Sequence, residues 1–207
     1  SGALLFAVFL ILLILVTQFN AFSSPIIILS SVILSLAGVF LGIVISRNDF
    51  VIIMTMIGII SLAGIVVNNA IVLVDYTNLI RKRKRAELEL DETTLISNED
   101  FKASVIEGGK TRLRPVLLTA ITTILGLFPL ASGLNINFFS LVSDWDPQIF
   151  FGGDNVIFFK PMSLAIIYGL TFATFLTLVV VPIMYYSIYR FKIWIFKLFG
   201  WSIKIDL

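Results

Sequence analysis

Apolar runs of membrane-crossing length dominate this chain. Five nearly unbroken hydrophobic stretches, 3–19, 25–45, 51–76, 115–134 and 161–189, are separated by polar or turn-forming segments. A hydrocarbon core about 30 Å thick takes about 20 residues of helix. None of the stretches alternates apolar with polar positions as a barrel strand does, and each is too long for a buried strand. The pattern predicts an all-α membrane protein: one transmembrane domain over residues 1–207, a bundle of five transmembrane helices.

The connections between these runs differ sharply. Residues 18–24 and 46–50 are short. Residues 81–114 carry nine of the 15 basic and seven of the 13 acidic side chains, whereas residues 135–160 hold three aspartates, one lysine and several phenylalanines. Lys and Arg mark cytoplasmic loops. The run Arg81-Lys82-Arg83-Lys84-Arg85 after the third stretch, and the basic tail 190–207 after the fifth, give the same answer two crossings apart. The expected topology has the N-terminus and loop 135–160 outside, and loop 81–114 and the C-terminus in the cytoplasm. The tail, alternating bulky apolar with cationic residues, reads either as an interfacial amphipathic helix or as a helix end whose lysines snorkel.

Composition narrows the function. Hydrophobic residues make up 58% of the chain and charged ones 14%, with a mean hydropathy of +1.04. These values exclude a disordered chain, a nucleic-acid-binding module and an ordinary soluble enzyme. There is no cysteine and no histidine, which removes thiolate chemistry, the commonest general base and the commonest metal ligand. Neither catalysis, a cofactor nor a metal site is expected. The chain opens Ser1-Gly2 directly into an apolar run, with no initiator Met and no basic n-region ahead of a cleavage site. It is expected to be a piece of a longer protein.

Polar residues inside the apolar runs are the candidate chemistry, because they are costly in lipid and normally face protein or water. In the third stretch Ser61, Asn68 and Asp75 recur every seven residues, and so share a helix face with Gly64. Asn69 sits beside them and reads more readily as interhelical hydrogen-bond glue. Asp75 reads equally well as an interfacial carboxylate. Arg112, Thr119 and Gly126 repeat the spacing of seven, with Thr122 alongside. Thr119 would then lie about 10 Å deeper than Arg112. Against this stand a plain positive-inside role for both Arg112 and Arg114, and threonines bonded back to their own helix. Pro115 suits a first helical turn, and Pro129 and Pro182 read as kinks. Gly108-Gly109-Lys110-Thr111 lacks the upstream glycine and strand of a phosphate loop. Asp144-Trp145-Asp146-Pro147 and Gly152-Gly153-Asp154-Asn155 read as turns rather than calcium ligands.

Gly64 to Tyr76, followed by Arg112-Leu113-Arg114-Pro115, carries a family resemblance. It is supported by Gln18-Phe19-Asn20 through Pro25, by Gly126-Leu127-Phe128-Pro129-Leu130 and by Val181-Pro182. Over nearly its whole length the chain resembles the C-terminal transmembrane part of resistance–nodulation–division (RND) efflux pumps of the acriflavine-resistance type. The resemblance implies the last five of twelve helices of a proton-driven multidrug antiporter in the bacterial inner membrane. It also implies a homotrimer working with a periplasmic adaptor and an outer-membrane channel. By motif position it assigns an ion relay to Asn68, Arg112 and Thr119; Ser61, Asn69, Asp75 and Thr122, read from spacing and polarity alone, are candidates for a supporting polar face. Asn68 stands where the best-known pumps carry lysine, so the coupling ion could be a proton or another. The relay carboxylates of the family lie in the other half, the missing N-terminal partner. The competing reading is a non-transporting membrane scaffold built on the same helices.

Overall fold

The computed structural model describes residues 2–19, 23–90, 96–136, 142, 145 and 149–198. These form α1 (Gly2–Phe19), α2 (Ser23–Ser46), α3 (Ile52–Glu87), α4 (Asn98–Ser132) and α5 (Asp154–Leu198). A small antiparallel hairpin, β1 (Leu134–Ile136) and β2 (Ile149–Phe151), pairs Leu134 with Phe151 and Ile136 with Ile149. Each expected apolar stretch contains a helix, although the fourth ends at Ser132, with Gly133 in a turn and Leu134 in β1. Four helices, α2 to α5, are long and apolar enough to cross a membrane, and α1 contributes a shorter apolar helix over Phe9–Phe19.

The helices overrun the apolar stretches, for local reasons. α3 does not stop at Tyr76 but continues through the basic run to Glu87, because Arg, Lys, Ala and Glu all favour helix. Lys84 lies 3.6 Å from Glu87 one turn on, and Lys84 and Arg85 face the carbonyl end of the helix, where cations are favoured. α4 starts at Asn98, well ahead of Pro115. Ser97 caps it: its hydroxyl accepts from the Asp100 amide at 3.3 Å and donates to the Asp100 carboxylate at 3.0 Å. Glu99 and Asp100 add the acidic first turn that a helix N-terminus prefers. Pro115 therefore lies inside α4 rather than in its first turn, and much of segment 81–114 is helix. α5 likewise begins before its apolar run and carries on through Arg190 into the tail. The hairpin between α4 and α5 closes through Gly133 (φ +79°) and Gly152 (φ +101°), and the Gly152 amide donates to the Gly133 carbonyl at 3.0 Å. Side chains with a Cβ resist such φ values.

The chain divides into two compact units. Unit 1 comprises Ser1–Val32, Val67–Val116 and Phe175–Leu207, and unit 2 comprises Ile33–Val66 and Leu117–Thr174. In unit 1 the anchor is Phe101, which is 1% exposed. Its ring stacks on Tyr189 (centroids 3.7 Å apart) and on Tyr185 (5.6 Å). The Tyr189 hydroxyl donates to the Ile96 carbonyl at 2.6 Å, and the Tyr185 hydroxyl donates to the Asn78 side-chain carbonyl and accepts from Arg81. The start of α4 is thereby fastened to α5 and to the end of α3. Gly108 packs on Thr77, whose Oγ1 would lie 2.7 Å from any Cβ added there, whereas nothing lies within 4 Å of a Cβ on Gly109; the first glycine of the rejected phosphate loop thus serves close helix packing.

In unit 2 small residues let the helices approach. Gly38 and Gly42 of α2 receive Phe172 and Tyr168 of α5, and Gly169 of α5 receives Leu62 of α3. A Cβ on Gly58 would come within 2.8 Å of the Met162 carbonyl. Such small-residue contacts are how helices pack where lipid removes the hydrophobic drive. Of the Asp144–Pro147 motif only Trp145 is described, and it is exposed; Asn20 and residues 199–207 of the tail also lie outside the described residues.

Candidate functional site

Of the polar positions singled out above, Ser61, Asn68, Asp75, Thr119 and Thr122 are exposed, Arg112 is half-buried and Asn69 is buried. In unit 1, Asn68 and Asp75 are exposed on α3, while their neighbours Val67, Asn69, Ala70, Leu73 and Val74 are buried. Asn69, 6% exposed, points into the packed side of the helix. Arg112 is half-buried, with its guanidinium 4.2 Å from the centre of the Tyr76 ring. Its Nε is buried and has no hydrogen-bond partner among the described residues. Arg114, about 200° further round α4, is exposed. A cation over an aromatic face is worth about 0.5–2 kcal/mol depending on desolvation, so Tyr76 holds Arg112 against α3 without neutralising its charge. No hydrogen bond among the described residues joins Asn68 to Arg112.

In unit 2, Ser61 and Gly64 are exposed on α3 on either side of the buried pair Leu62 and Ala63. Nothing lies within 4 Å of where a Gly64 Cβ would stand, and the same holds at Gly126. Thr119, Thr122 and Gly126 are exposed on α4. Thr122 bonds back to its own helix, donating to the Leu118 and Thr119 carbonyls at 2.9 and 3.1 Å. The apolar part of α4 is only 17% buried, against 56% for α3, so α4 presents most of its surface outward.

Unit 1 thus exposes an amide and a carboxylate on α3, with a charged arginine held near that helix, and unit 2 exposes hydroxyls and open glycine notches on α3 and α4. Hydroxyls and an amide can donate and accept hydrogen bonds, and a guanidinium can donate them and pair with a carboxylate brought from elsewhere. Among the described residues no group of three or more Asp, Glu, His or Cys is gathered to hold a metal. The Tyr76–Arg112 contact and the Phe101 anchor were not foreseen from sequence. An aromatic one residue after the last polar position of the stripe was the available signal for the first.

Helices of membrane length that leave a polar stripe uncovered define a polytopic membrane domain. The model of the AcrB/AcrD/AcrF family matches residues 2–135. The chain belongs to that family of RND efflux transporters, which are not enzymes. It is 36% identical over 190 residues to the swarming motility protein SwrC of Bacillus subtilis (strain 168), covering 92% of this chain and 15% of that relative. It is 26% identical to the multidrug resistance protein MdtC of Erwinia tasmaniensis, covering 88% of this chain and 15% of the relative. In three dimensions it is similar to a heavy metal efflux pump solved by X-ray crystallography, with a TM-score of 0.62 at 24% identity, over 88% of this chain and 14% of that one. The chain therefore spans a small fraction of the length of the relatives it matches.

Proposed function

We propose that this chain supplies the C-terminal membrane half of an ion-driven RND antiporter, and that its exposed stripe is the surface on which the N-terminal half docks. The observation that carries this reading is the exposure of Ser61, Asn68 and Thr119 on helices whose neighbouring positions include buried ones. Polar groups on a lipid-facing surface are costly, so a stripe of them wants a polar partner. In this reading all five helices cross a bacterial inner membrane, with loop 81–114 and the C-terminus in the cytoplasm. The full pump would be a homotrimer served by an adaptor and an outer-membrane channel.

Asn68, Arg112 and Thr119 carry the relay, with Ser61, Asp75 and Thr122 supporting it and Asn69 packing the helix behind. Arg112 supplies the fixed positive charge, and Asn68 supplies hydrogen bonds but no charge. Coupling then rests on carboxylates of the partner half changing protonation, or ion occupancy, opposite Arg112. Relatives named for multidrug resistance and for cobalt-zinc-cadmium resistance share this segment, which supports placing the choice of substrate in parts outside it. The asparagine at 68 also favours a second reading, a scaffold that keeps the packing and has lost the coupling.

The test is resistance conferred by the longer polypeptide that contains this chain. Arg112→Met should abolish it at normal expression, Arg112→Lys should restore part, and Arg114→Ala should be mild. Full resistance with Arg112→Met would return Arg112 to an ordinary anchor.

A further inference from the structure

The hairpin between α4 and α5, which lies within unit 2, is held by its backbone while its apolar side chains stay outside. Its strands pair antiparallel. The Gly152 amide donates to the Gly133 carbonyl and the Val156 amide to the Gly153 carbonyl, both at 3.0 Å, and the Asn135 side-chain amide donates to the Gly152 carbonyl. Yet Ile149, Phe150 and Phe151 of β2 are all exposed, Phe151 by 73%. Ile157, Phe158 and Phe159, in the first turns of α5, are exposed as well.

The shape of this surface separates the occupants it could have. Successive side chains of a strand point to opposite faces, so β2 is apolar on both sides of the ribbon. Three successive helix positions sweep about 200°, so the start of α5 is apolar over more than half its circumference. A protein partner covers one face of an element. An apolar surface that runs round both a ribbon and a helix suits a medium that surrounds them, and contiguous exposed apolar surface marks a contact of some kind.

The level of the hairpin follows from the helices it joins. α4 carries no charge after Arg114, and residues 115–132 run about 27 Å at 1.5 Å each, close to the about 30 Å of a hydrocarbon core. β1 begins at Leu134, just past that end, and β2 leads into α5, whose segment of membrane length begins at Val156. A strand of this length reaches about 10 Å further, which spans the polar layer of about 5–8 Å on each side of the core. Two features stop it from going deeper. The outer edges of a two-stranded ribbon leave backbone groups unpaired, which hydrocarbon does not tolerate. Asp154 and Lys160, on either side of the three α5 positions in sequence, are exposed charges, and a lysine there can snorkel to the headgroups. Phenylalanines with such polar neighbours suit the boundary between headgroups and acyl chains.

We infer that the β1–β2 hairpin and the first turns of α5 form an interfacial anchor, seated in the headgroup–acyl boundary of a phospholipid bilayer at the end of α4 remote from Arg112 and Arg114. The inference rests on the reading of α4 and α5 as membrane-crossing.

The test uses the 207-residue chain in phosphatidylcholine vesicles, with its three native tryptophans changed to phenylalanine and one tryptophan added. Phe151→Trp and Phe158→Trp probe the anchor, and Phe175→Trp, near the middle of the Val156–Phe191 segment, probes the bilayer interior. Emission is quenched by lipid brominated either near the headgroup or near the chain ends, and by iodide in the water. At 151 and 158 the shallow bromines should at least halve the emission and act more strongly than the deep ones, while at 175 the order reverses. Given quenching by bromines at 175, three results at 151 would overturn the anchor: iodide quenching without bromine quenching, which puts the hairpin in water; protection from both, which puts it under protein such as a second copy; or stronger quenching by the deep bromines, which puts it in the core. No bromine quenching at 175 either would overturn the membrane-crossing reading of α5, and the anchor with it.

Discussion

Replacing Phe101 with alanine should release the start of α4 from the end of α5. The ring is 1% exposed and is stacked on two tyrosines, with centroids 3.7 and 5.6 Å away. Truncating a buried Phe to Ala typically costs about 3–5 kcal/mol, part of it the cavity left behind, and each aromatic pair accounts for about 0.5–1.5 kcal/mol beyond area. At one power of ten per about 1.4 kcal/mol, local opening of the segment that Ser97 caps should become roughly a hundred- to a few thousand-fold more frequent. Tyr189→Phe is the control in kind: it keeps the stack and removes only the bond to the Ile96 carbonyl. That loss is worth about 0.5–1.5 kcal/mol, so opening should rise about tenfold at most. Hydrogen–deuterium exchange on peptides covering residues 98–106, read by mass spectrometry in detergent, reports both. The apolar interior of α3 serves as an internal reference and should not change. Equal protection in Phe101→Ala and the unaltered chain, or a larger effect from Tyr189→Phe, would refute the anchoring role.

Three further outcomes follow from the geometry. A single cysteine in place of the exposed Asn98, introduced into a chain with no cysteine of its own, should resist impermeant thiol reagents applied outside intact cells; labelling would invert the proposed topology. Gly58→Val should destabilise by about 1–3 kcal/mol through overpacking, because a Cβ there meets the Met162 carbonyl at 2.8 Å, whereas Gly64→Ala, with open space, should leave the unfolding midpoint of the isolated chain unchanged. Proteoliposomes holding only the 207 residues should show no ion-coupled drug flux above empty liposomes, and the purified chain should self-associate through its uncovered stripe; robust flux or a strictly monomeric state across detergents would count against the reading.

The apolar stretches were plain in the sequence because nothing but a bilayer demands about 20 unbroken apolar residues. The helix ends were not. Pro115 looked like a first turn, yet Ser97-Asn98-Glu99-Asp100 carried a better start, a serine cap with acids behind it. The basic run hid the continuation of α3, since Lys and Arg mark a loop by the positive-inside rule and a helix by propensity at once. The stripe through Ser61, Asn68 and Asp75 was legible as a shared face from its spacing. That it faces outward was not, because spacing says which residues lie together and only packing says what covers them.

Whether the exposed face of α3 is a docking surface for the proposed N-terminal half can be measured at Asn68, with cysteine in its place and Phe175→Cys, an apolar position that is 72% exposed, as reference. Both are treated with N-ethylmaleimide, once in the 207-residue chain and once in the longer polypeptide, each solubilised in the same detergent. The cysteine at 68 should react readily in the short chain and be protected at least tenfold in the long one, while the cysteine at 175 reacts alike in both. Equal reactivity at 68 in the two polypeptides would contradict the proposed docking of the N-terminal half on this face.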